Sequence, residues 1–161
     1  MHQWIVLLHL VGAFVFVASH GVAVWMSIQL SRERDPRRIA AMLDLSSMSL
    51  GGVYGGLALL LIGGIWAGID GGFFSRGWTW AAIAVLVAIT MAMYAIATPY
   101  FRRLRTALGM AQFGAKDAVP PTPLSDPEIL AIAAHSPVAV LTIVGFGGLL
   151  IILWLMVFKP F

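Results

Sequence analysis

The sequence predicts an all-α, four-helix transmembrane bundle, and two observations carry that expectation. Residues of the class AVILMFWYC make up 60% of the 161 residues and Asp, Glu, Lys and Arg together only 11%. Soluble domains carry roughly 45–50% apolar and about 25% charged residues. The apolar residues also fall into four long runs separated by short charged or glycine-proline stretches, and about 20 apolar residues suffice to cross a bilayer. So apolar a chain is neither disordered nor collagen-like, and its lack of cysteine removes disulfides, thiolate zinc sites and thiol nucleophiles. A net charge of +3 suits the anionic surface of a membrane better than nucleic acid, so no nucleic-acid partner is expected.

The first span covers 4–30, where His9 and His20 are the ionisable groups. The chain opens Met1-His2-Gln3-Trp4 without a basic stretch, so the segment reads as a retained span rather than a cleaved signal. Asp35-Pro36 starts the second helix: a side-chain acceptor at the cap, then a ring that needs no hydrogen-bond partner. Its first turns carry Arg37, Arg38 and Asp44 at the membrane surface, and 45–69 crosses. Asp70-Gly71-Gly72 turns the chain into the third span, 78–100, closed by Pro99 and the cluster Arg102, Arg103 and Arg105. The stretch 106–124, with Lys116, Asp117, Pro120, Pro121 and Pro123, is the linker of this single domain. Ser125 with Glu128 three residues on forms a capping box that opens the last helix. Pro137 falls inside it and should split it, leaving 137–158 as the fourth span.

Four Lys and Arg fall in the first connection, one in the second and four in the third. Basic residues stay on the cytoplasmic side, so both termini are expected outside and the charged helix extensions inside. The expected location is a bacterial cytoplasmic (inner) membrane, crossed several times.

An ionisable side chain in lipid is costly and marks a functional hypothesis. His9 and His20 are eleven residues apart, three turns plus about 20°, so both project from one face of the first helix about 16 Å apart along its axis. Such spacing would serve two axial ligands of stacked haems, a metal site on His9 and His20, or a proton relay. The plainer alternatives are a neutral His20 hydrogen-bonded across a packing contact to a carbonyl, Ser19 or Ser27, and a His9 that sits at the wet boundary with its ring reaching water. His135, before Pro137, is the one further histidine placed to pair with His20 on a haem b. No span holds a glutamate, which removes zinc-protease motifs and a carboxylate proton path. Copper is the alternative metal, with passage of copper or a small molecule along the histidine face as its functional form.

Glycines crowd the second span at 51, 52, 55, 56, 63, 64 and 68, and the fourth at 145, 147 and 148. Small residues four apart let backbones approach, so these strips read as packing faces, helix to helix within the chain, toward a second copy or a larger membrane complex, or else helix to a flat macrocycle. Tyr54 sits among them, placed to bond a buried partner.

The stretches His9-Leu-Val-Gly12, His20-Gly21, Leu30-Ser-Arg-Glu-Arg-Asp35, Arg38-Ile39 and Leu43-Asp44-Leu45-Ser46, with Gly63-Gly64 and Lys159-Pro160, resemble an uncharacterised bacterial family of four-helix integral membrane proteins. That family brings a fold and no activity. More distantly the chain is similar to the copper-resistance D type and to the haem-binding protoporphyrinogen oxidase type. In the oxidase type a first-helix histidine and a third-helix lysine serve haem binding and activity, and chains commonly end Lys-Pro-Phe. His9 and Lys159-Pro160-Phe161 match; the third span has no basic residue. The resemblance therefore implies haem binding without porphyrinogen oxidation, and no copper ligand carries over. Two expectations compete: a haem-linked redox protein, and a cofactor-free scaffold or subunit of a membrane complex.

Overall fold

A computed structural model describes residues 2–112 and 120–161. Among these residues every regular element is helical: α1 (His2–Leu30), α2 (Pro36–Asp70), a 3-10 turn (Phe73–Ser75), α3 (Gly77–Ala107), α4 (Asp126–Ala134) and α5 (Val138–Phe158). Four spans, with α4 and α5 together forming the last, are long and apolar enough to cross a membrane. At most 22% of the most apolar window of any span is buried inside the protein, so most of its apolar surface faces lipid. The chain is an integral membrane protein.

Local chemistry sets the helix limits. The Asp35 carboxylate accepts the Arg37 N–H at 2.9 Å and Pro36 occupies the first helical position of α2. Just before it, the Arg34 and Asp35 N–H groups hold the Glu33 carboxyl below its ordinary pKa. At α4 the Glu128 carboxylate accepts the Ser125 N–H at 3.1 Å, as the capping box requires. The break at Pro137 falls where expected, between Ala134 and Val138. Pro99 does not end the third helix. It lies inside α3, which runs on to Ala107 and carries Arg102, Arg103 and Arg105 in its last turns. The ring removes one hydrogen bond, and flanking turns with good helix formers keep the helix going. Of the linker, 113–119, with Lys116 and Asp117, lies outside the described residues.

The four spans assemble as two antiparallel pairs: α1 packs along α2, α3 along α5, and the pairs touch each other much less. The α1–α2 seam is backbone against backbone. A Cβ on Gly63 would lie 2.7 Å from the His9 nitrogen. Further along, a Cβ on Gly12 would strike the Leu60 backbone, one on Gly56 the Phe16 backbone, and one on Gly52 the Ser19 side chain. These contacts descend in antiparallel register, so one face of each helix is committed along its length. The α3–α5 pair closes through Gly148 against Ile89 and through Trp78, Ala82 and Leu155.

The pairs are tied at their ends. At the arginine-rich end Leu30, Ile39, Leu43, Leu104, Ala107, Ile129 and Ala133 form the largest buried cluster, drawn from α1, α2, α3 and α4. Arg105 crosses it: Nε donates to Ala111 O at 2.9 Å and Nη1 to Ser47 Oγ at 3.2 Å, with Asp44 Oδ1 at 3.5 Å. At the opposite end Lys159 Nζ lies 5.0 Å from the Phe73 ring centre and 5.7 Å from that of Trp78. Phe161 O accepts the Trp78 N–H at 3.3 Å.

The glycines differ sharply in what a methyl group would meet. Gly56→Ala should destabilise the fold by about 1–3 kcal/mol, the range for overpacking a closed contact. Gly55→Ala, with open space around it, should stay within about 0.5 kcal/mol of wild type. Unfolding by steric trapping in bicelles would measure both, and equal effects would refute the assigned face.

Candidate functional site

The intramembrane histidines stand at two interhelical contacts. His9 belongs to the α1–α2 seam: its Nδ1 is 2.8 Å from Leu60 O and its ring lies over Gly64, where a Cβ would come within 3.0 Å of Nδ1. A carbonyl oxygen only accepts, so Nδ1 carries a proton, and Nε2 is the bare nitrogen of the neutral ring. Gly63 and Gly64 together admit the ring and bring the two backbones near enough for the bond.

His20 faces the other pair. Its ring stacks on Phe16 at 5.8 Å between centres and 5° between planes, and meets Phe146 of α5 at 5.8 Å and 60°. A Cβ on Gly145 would lie 2.9 Å from Nε2. That nitrogen is buried and has no hydrogen-bond partner among the described residues. Ser27, one of the expected partners, gives its hydroxyl to Ala23 O at 2.8 Å instead.

The two rings share a face of α1 in angle yet serve different neighbours, His9 toward α2 and His20 toward α5. The seam with α2 runs from His9 through Gly12 and Phe16 to Ser19, and His20 lies beside it where α1 makes its much smaller contact with α5. His135 is not brought to either. It ends α4, with Nδ1 2.8 Å from Ala131 O one turn back. His20 meets α5 at Gly145, ten residues beyond His135 and on the far side of the break at Pro137. Among the described residues no three of His, Cys, Asp or Glu gather as a metal site.

The glycine strip divides likewise. Gly52, Gly56 and Gly63 are used inside the chain, and Gly68 lies against the Phe74 ring. Gly51 and Gly55 meet nothing within 4 Å and are exposed, as is Tyr54. Two contacts escaped the sequence reading: the clamp of Lys159 on Phe73 and Trp78, and the role of Arg105 as an interior tie rather than a surface charge. The spacing of Asp44 and Ser47, one turn apart on the face that α3 meets, is the trace that marks the second.

No family model, no curated protein and no solved structure matches this chain.

The two histidines should respond oppositely to an apolar replacement. His9→Leu removes an interhelical hydrogen bond and should cost about 1 kcal/mol. His20→Leu removes a buried atom that has no partner and should be neutral or stabilising by up to about 1 kcal/mol. Steric trapping in bicelles reads both, and a larger loss for His20→Leu would contradict this placement.

Proposed function

We propose that the protein is a packing subunit of a membrane assembly, a cofactor-free scaffold whose rigid part is the α1–α2 pair. The observation that carries this is the division of the second-span glycines. One set closes α2 onto α1, while Gly51 and Gly55, with Ala58 a turn further on, stand exposed on a separate face. In lipid, helix association draws on close packing rather than on hydrophobic expulsion, and a smooth face of this kind receives another helix at short range. His9 supports the same reading, since it is engaged in holding helices by its bond to Leu60. A double variant, Gly51→Leu with Gly55→Leu, should reduce the particle extracted in native polymer nanodiscs to a single chain by mass photometry, with helix content unchanged. An unaltered particle mass would refute the proposal.

One observation favours a second reading, haem b held by His9. The Nδ1–H bond to Leu60 O is the outer-shell contact that orients a ligating imidazole and leaves Nε2 bare for iron. His20 does not fit that role, because its Nε2 is closed off by Gly145. A haem there would supply one-electron transfer; the chain would supply the fixed imidazole and a dry apolar setting. This reading predicts a Soret band in protein purified in mild detergent that disappears in His9→Ala and persists in His20→Ala. Colourless protein from haem-replete cells would count against it.

A further inference from the structure

We infer that Lys159-Pro160-Phe161 forms a strap that reaches back from α5, caps the first turn of α3 and holds the two helices closed at that end. Three contacts made by this short segment carry the inference. The Lys159 ammonium lies over the rings of Phe73 and Trp78, 5.0 and 5.7 Å from their centres. Phe161 O accepts the Trp78 N–H at 3.3 Å. The Phe161 ring packs on Gly77, where a Cβ would come within 2.8 Å of it.

The backbone bends where these contacts need it to. The Lys159 N–H bonds Leu155 O at 3.0 Å and closes α5, with φ 46° and ψ 57°, the left-handed conformation. Among the described residues no other non-glycine residue has a positive φ. Such a conformation is unfavourable for a residue with a Cβ and persists where its surroundings over-determine it. Pro160, without an N–H, cannot continue the helix and sends the chain off its axis.

The receiving end is built to match. The first N–H groups of a helix have no partner inside it, and Arg76, at the N-cap of α3, supplies no side-chain acceptor. Phe161 O takes that place for Trp78, which is buried. Gly77 leaves room for the Phe161 ring. Phe73 is fixed in turn by Trp78, 5.6 Å away between ring centres, and by Gly71, on which its ring lies. Lys159 thus joins α5, the 3-10 turn and α3 at one point.

These contacts form together. Without the rings under Lys159, nothing offsets its left-handed turn, so losing one contact releases the others. The strap therefore has a closed and an open state. Opening frees the Trp78 N–H and lets the end of α5 part from α3 beside the Trp78, Ala82 and Leu155 cluster.

Amide hydrogen exchange at Trp78, followed by NMR on the full chain in lipid nanodiscs, reads the open fraction. In wild type this amide should be protected. Lys159→Met keeps the bulk and removes the charge; it should speed exchange about fivefold, the loss of one exposed cation–π contact. Lys159→Arg keeps a cation over the rings and should stay within about twofold of wild type. Phe73→Leu should match Lys159→Met, and the double variant should exchange no faster than either, because both remove the same contact. The Arg37 amide, capped by Asp35 at the opposite end, should be unaffected throughout. An unprotected Trp78 amide in wild type, no change in Lys159→Met, equal acceleration in Lys159→Arg or at Arg37, or effects that multiply in the double variant would each overturn the inference.

Discussion

The contact on which the rest of the molecule depends is the meeting of two backbones, α1 and α2, along a seam cleared of side chains on one side. Inside a bilayer the lipid tails are as apolar as leucine, so burying leucine there gains little. What remains is van der Waals contact at short range and the occasional polar bond across it. Both need the helix axes close, and Gly12, Gly52, Gly56 and Gly63 make them close. The bond from His9 to Leu60 O is a consequence, since a larger residue at 63 or 64 would hold the ring away. The proposed function rests on the same economy of space: faces not spent on this seam would be left for other helices.

The hydrophobic effect returns where water does, and the structure is arranged accordingly. The largest buried cluster is at the arginine-rich end, where Leu30, Ile39 and Leu104 are almost wholly enclosed. Arg105 runs through that region with Nη1 turned toward Asp44 and Ser47 and Nε bonded to Ala111 O. The opposite end is fastened differently, by Lys159 over two aromatic rings and by the backbone bond from Trp78 to Phe161. Between these fastenings the two pairs meet lightly, and His20 against Gly145 is a principal point of contact. The unpaired nitrogen at that point adds no hydrogen bond between the pairs.

Much of this was legible in the order of residues. Composition and run length give the four spans, Asp35-Pro36 and Ser125 with Glu128 give two helix starts, and Pro137 gives the break in the last span. Pro99 misleads because a proline one turn before a basic cluster looks like an end, whereas the bilayer's demand for satisfied backbone keeps α3 helical through it. The angular argument for His9 and His20 is right about α1 and silent about its neighbours. Periodicity fixes a face and not what lies opposite, so it cannot separate a ring held by α2 from one held by α5. The glycines show the same limit: 51/55 and 52/56 are indistinguishable as motifs, and only the register of α1 decides that one pair is used and the other open.

The central claim, that α1 and α2 touch backbone to backbone with Gly56 against Phe16, is open to a direct measurement. Solid-state NMR on the protein in lipid bilayers, labelled with 15N at the Phe16 amide and 13C at glycine Cα, reads that proximity through dipolar recoupling. A strong coupling from Phe16 N to Gly56 Cα is the expected result. A coupling to Gly55 in its place, or none to either, would contradict the seam and the assignment of faces built on it.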